Sequence, residues 1–170
     1  MGVMDQKTLD ALSGFPALLE AHYRQFPEQF VRWTPASWEG VPSEPFTALE
    51  HLCHVRDIES DGYQVRFTRT LREQQPQLPS LDGLALAHER AYASSDAAEV
   101  LATFRGARSQ TLQLLRQLTP AQLDRTACYA EYGVVSLASL IHLLCSHDQQ
   151  HLAGLQWLLA KVRSASPAPR

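Results

Sequence analysis

The chain has 170 residues, enough for one domain with its own hydrophobic core. Its 15 basic and 18 acidic residues give a net charge of −3 and no basic stripe, which argues against nucleic acid as a partner. Apolar runs are short and interrupted, so no membrane span is expected, and the start lacks the basic-then-apolar pattern of a signal peptide. Cys53, Cys128 and Cys145 form no CxxC pair, and an odd number of cysteines suits the reducing cytoplasm better than a disulfide framework.

Residues 5–32 are expected to be the first helical region, with Leu9, Leu12, Phe15, Leu19 and Phe26 among its apolar positions. Pro16 and Pro27 should kink or break it, since each lacks the N–H that a helix interior uses. Residues 33–45, with Pro35, Gly40, Pro42 and Pro45, read as a loop. A second helix should run from about Phe46 to Glu73. A long connection, about residues 74–95, follows with Pro76, Pro79 and Gly83. Asp96, with Glu99 three residues on, opens a third helix. Thr119-Pro120-Ala121-Gln122 makes a short capped turn. Ser136 should cap a fourth helix running to about Val162. A single domain over 1–162 and a flexible tail over 163–170 complete the expectation.

Four amphipathic helices in one domain make an all-α four-helix bundle. The long second connection can cross the bundle from end to end. That favours an up-down-down-up order, with helices two and three parallel.

Ser146-His147-Asp148-Gln149-Gln150-His151 carries the chemistry. Two histidines four apart share one helix face and can ligate one divalent metal. The ordinary alternative is a chance pair on a helix with seven histidines in the chain. A third ligand would come from helix two, where His51 and His54 are three apart, and the pattern alone does not choose between them. Imidazole nitrogens suit zinc, nickel or iron rather than magnesium or calcium. Asp57 and Asp61 follow His54 on roughly its face and could orient a ligand or meet substrate, against the plainer reading of a solvated helix edge. Glu50 reads as structural, and His22, His88 and His142 as surface or partly buried residues. Cys53 and Cys145 point away from the ligand face and read as small buried residues. Trp33, Trp38, Tyr129, Tyr132 and Trp157 are either a pocket rim or, more simply, packing.

The segment Phe46-Thr47-Ala48-Leu49-Glu50-His51-Leu52-Cys53-His54-Val55-Arg56-Asp57-Ile58-Glu59 resembles the first signature of the DinB-like (DinB/YfiT) superfamily. That signature reads roughly Trp-Ser-x-x-Glu-x-Leu-x-His-Leu-x-x-x-Glu. Glu50, Leu52, His54 and Glu59 match in place, and Phe46 and Thr47 replace the Trp and Ser. The second signature, His-x-x-x-His near the C-terminus, is similar to Ser136 through Leu152, and the resemblance covers about residues 15–160. It implies an up-down-down-up bundle, with a metal held by His54, His147 and His151. It places His54, not His51, in the ligand column. Members of that family often form homodimers, and some are metal-dependent transferases or isomerases using low-molecular-weight thiols.

Three functions follow as expectations. The first is a metal-dependent thiol transferase or hydrolase acting on a small electrophile, its nucleophile a metal-bound water or thiol rather than a side chain. Zinc or nickel, then iron or manganese, would be the metal. The second is a non-catalytic, stress-associated metal-binding protein. The third is a metal-free dimeric helical scaffold.

Overall fold

A computed structural model describes residues 4–165. Helix α1 spans Gln6–Tyr23, capped by the Asp5 carboxylate, which accepts from the Lys7 N–H. The expected break at Pro16 does not occur; α1 runs through it. The reason lies in the neighbouring helix. Pro16 deprives the Leu12 carbonyl, four residues back, of its helical donor. That carbonyl instead accepts from Arg108 Nη1 at 2.9 Å. Nothing comparable rescues the segment at Pro27. There α1 has already ended, and only a 3₁₀ turn, Glu28–Phe30, follows.

The second long helix begins as α2, Ala48–Asp57, with a full capping box between Thr47 and Glu50. It passes through a π turn, Ile58–Tyr63, and continues as α3, Gln64–Arg72. The connection read as plain loop holds β1 (Gln77–Leu78), α4 (Gly83–Glu89) and a 3₁₀ turn at Tyr92–Ser94. Helix α5 spans Ala97–Leu115 behind an Asp96 cap, and the Thr119 capping box opens α6, Pro120–Leu123. Strands β2 (Thr126–Tyr129) and β3 (Gly133–Ser136) form a hairpin whose turn needs the positive φ of Gly133. With β1 parallel to β2, they make a small three-stranded sheet that the all-α expectation lacked. Helix α7 runs Leu137–Ala165, with Ser136 Oγ accepting from the Ser139 N–H. Of the tail expected over 163–170, residues 163–165 close α7, and 166–170 lie outside the described residues.

Side-chain pairings fix the helix directions. Glu20 meets Arg105 and Leu12 meets Arg108, so α1 and α5 are antiparallel. Leu52 and Val55 share a core cluster with Val100 and Phe104, while Phe67 shares the next with Leu112 and Leu115, so α2–α3 and α5 are parallel. His51 meets His151 and His54 meets His147, so α2 and α7 are antiparallel. The bundle is up-down-down-up, as expected. Between the two apolar clusters the interior holds a charged layer. Arg108 donates to both oxygens of Glu59 and both of Asp148, at 2.8–3.0 Å. It ties α5 to the π turn and to α7, the helix that carries the histidine pair. Among the described residues no helix is long and apolar enough to cross a membrane.

Candidate metal site

His54 lies in the last turn of α2, and His147 and His151 lie one turn apart on α7, on the face turned towards it. One nitrogen from each of the three falls within 4.8 Å of the others. His54 Nε2 and His147 Nε2 are 3.1 Å apart. Two nitrogens sharing a tetrahedral zinc at about 2.0–2.1 Å stand about 3.3–3.4 Å apart, so the spacing is close to that of a common ion. His151 Nε2 is buried with no hydrogen-bond partner among the described residues. A buried imidazole nitrogen left unpaired is costly unless something else satisfies it. The donor set therefore fits a divalent metal. Burial, reinforced by the neighbouring imidazoles, holds His147 and His151 well below the ordinary histidine pKa, and burial lowers His54 to about 4. All three are neutral at pH 7, the form that binds metal.

The surroundings fix the rings. His51 is fully buried, and its Nδ1 is 3.1 Å from His151 Nδ1. A hydrogen bond there leaves His151 Nε2 as the free nitrogen. Gly83 opens α4 directly against His54; a Cβ there would sit 2.6 Å from His54 Cε1. At Gly154 a Cβ would collide with Ser43 Oγ and lie 2.7 Å from His51 Cε1. Both glycines are required by close approach rather than by backbone angle.

The loop before α2 brings Glu44 to the cluster. Its Oε2 is 3.6 Å from His151 Nε2 and has no hydrogen-bond partner among the described residues. The Trp38 ring, in the same loop, stacks on Trp157 of α7 at 5.9 Å. A cavity of about 120 Å³ adjoins the cluster, lined by Glu44, His54, Tyr63, Arg66, Tyr129 and His147 among others.

Other expected residues fall elsewhere. Asp57 is no solvated edge. It is buried, accepting from Arg56 and the Tyr92 hydroxyl and paired with Arg90. Asp61 is exposed and pairs with Arg90. Glu50 caps α2. Cys53 is buried, and burial pushes the Cys145 thiol up to about 11. Of the five aromatic candidates, Tyr129 lines the cavity, and Tyr132 stacks on it from the exposed side.

Residues 11–155 match the family model of the DinB superfamily. The chain belongs to the DinB superfamily. Among solved structures, YfiT from Bacillus subtilis, described as a probable metal-dependent hydrolase with an unusual four-helix bundle topology, superposes with a TM-score of 0.80 at 22% identity. The match covers 93% of this chain and 87% of that one. No curated protein matches the chain. The DinB fold accounts for the crossing of α2 and α7 that brings the three histidines together. Sequence reasoning reached the triad but missed Glu44, Tyr63 and Arg66, for which neither helical periodicity nor motif gave a signal.

Proposed function

We propose that this DinB protein is a metal-dependent enzyme acting on a small electrophilic molecule, with His54, His147 and His151 holding one divalent ion, zinc or nickel before iron or manganese. The observation that carries the reading is the convergence of three imidazoles, two buried and one half-buried, with two of them lining a cavity. A purely structural ion would need no such space. The metal, when bound, supplies Lewis acidity and lowers the pKa of a water or a small thiol towards neutrality. The chain's own residues do the rest. His51 holds the His151 ring, Gly83 and Gly154 admit the imidazoles at close range, and Glu44 presents an unpaired carboxylate oxygen able to take a proton from the nucleophile. None of the three cysteines lines the cavity, and burial pushes the Cys145 thiol up to about 11. The description of YfiT as a hydrolase supports water as the nucleophile, and the family resemblance supports a low-molecular-weight thiol.

The test combines elemental analysis with a metal-replete turnover screen. Small thiols and water would be offered ester, amide and epoxide electrophiles, beside a His151→Ala control. One equivalent of metal and His151-dependent turnover are expected. Stoichiometric metal with no turnover across the screen would favour the non-catalytic role.

A further inference from the structure

The far wall of the cavity carries a charge that the histidine cluster does not use. Arg66, on α3, is only 5% exposed. Its guanidinium lies 4.9 Å from the Tyr63 ring centroid and 4.6 Å from that of Tyr129. Those rings hold the cation but offer it no hydrogen-bond acceptor through their faces. Among the described residues none accepts a hydrogen bond from Arg66, and it forms no ion pair with Glu44, which lines the same cavity. Arg66 is one of the residues that line the cavity. A guanidinium is a fork of N–H donors that matches a carboxylate, and one this buried without acceptors is set up for an anion that arrives from outside.

Local structure keeps it there. The π turn at Ile58–Tyr63 shifts the phase of the helix, so that Tyr63 and Arg66 both face the cavity beneath His54. Gly62 leaves the space the guanidinium occupies, since a Cβ there would approach Arg66 Nη1 to 3.1 Å. His147 lies 5.9 Å, ring to ring, from Tyr63, so the histidine cluster and Arg66 bound one small space. Its 120 Å³ corresponds to about four waters of liquid volume, room for a carboxylate and a short carbon chain.

We propose that Arg66 is the carboxylate-recognition residue of this cavity: the ligand is a small carboxylic acid, its acid group on Arg66 and its reactive end at the histidine cluster. This rests on the histidine cluster being the reactive end, as proposed above. Arg66 sets which ligands enter, and the Glu44 carboxylate beside His151 disfavours the reversed pose.

The test uses calorimetry on the metal-loaded protein with a matched pair of probes, 3-mercaptopropionate and 3-mercaptopropan-1-ol. The wild type should bind the acid at least about tenfold more tightly than the alcohol, as a charge-assisted hydrogen bond predicts. Arg66→Gln should remove that preference while leaving alcohol binding alone, and Arg66→Lys should retain part of it. Equal affinities in the wild type, a preference that survives Arg66→Gln or is unchanged in Arg66→Lys, or no binding of either probe would each overturn the proposal. If Arg66→Gln fails to fold, the wild-type pair and Arg66→Lys still decide. Absorption of the cobalt-substituted protein reports separately on thiolate at the metal. An Arg66-dependent acid preference without any change in that spectrum would support the carboxylate site and remove the thiol reading.

Discussion

His51 Nδ1 stands 3.1 Å from His151 Nδ1, a contact between two buried imidazoles a hundred residues apart in the chain. It separates the two histidines of helix two by role. His54 faces the shared space directly, while His51 reaches it only through the ring it orients.

Removing His54 should therefore abolish stoichiometric metal binding, because two remaining ligands hold an ion poorly. His51→Ala should keep one metal per chain at saturation but weaken affinity by about 10–100-fold. Competition titration with a chelating dye distinguishes the two. The reverse ranking would place His51 in the ligand set.

Glu44→Gln keeps the size of the side chain and removes its basicity. Metal content should be unchanged while kcat falls by about 100-fold or more, the usual contribution of a positioned base. Loss of metal in this variant would instead make Glu44 a fourth ligand.

The metal-free protein should be acid-sensitive. His51 and His54 are lowered from 6.5 to about 3 and about 4, burial being the main cause, and His147 and His151 are lowered as well. As the pH falls below 6.5 the unfolded chain takes up protons at these four positions before the folded chain does, so stability drops as the pH drops. Asp148 opposes this by one proton, because burial pushes it up to about 7 against the pull of Arg108. The four histidines outweigh the single aspartate, so the net effect is a loss of stability as the pH falls from 6 towards 4. Urea denaturation of metal-stripped protein at pH 7.5, 6.0 and 5.0 measures it. A flat profile would contradict the buried, neutral state of the cluster.

Replacing Arg108 with methionine should destabilise the fold by about 3–5 kcal/mol, since it strands Glu59 and Asp148 in the interior. The triple change Glu59→Gln, Arg108→Met, Asp148→Asn should recover much of the loss. Denaturant midpoints of the two variants provide the comparison. Equal stability of single and triple variants would mean the charged layer is not the source.

A Cys53→Ala, Cys128→Ser, Cys145→Ala variant that folds and binds metal should turn over at nearly the wild-type rate. Complete loss of activity in such a variant would mean that a protein thiol takes part.

The histidine triad was legible because it obeys helical spacing: His147 and His151 one turn apart, and His54 in a matched motif. The helix order was legible from the length of the second connection. Pro16 misled because its consequence depends on Arg108, ninety-two residues away, which no local pattern reveals. Asp57 is buried by Tyr92 and Arg90 from a connection no local pattern links to it, while Asp61 was extrapolated along a regular helix that in fact changes its winding at Ile58. The same change concealed Tyr63 and Arg66. Glu44 lies in a loop without periodicity, and β2 and β3 are only four residues each, too short to announce themselves beside four helices.

The π turn makes the second long helix behave as two segments joined by a fixed rotational offset. Its N-terminal segment carries His54, and its C-terminal segment carries Arg66. Rewinding residues 58–63 as ordinary α-helix, with no residue removed, would swing everything beyond them by about 100°. His54 would stay where it is, while Arg66 would be carried off the cavity wall. A change of winding in this one turn would thus re-face the Arg66 side of the cavity while leaving the histidine cluster untouched.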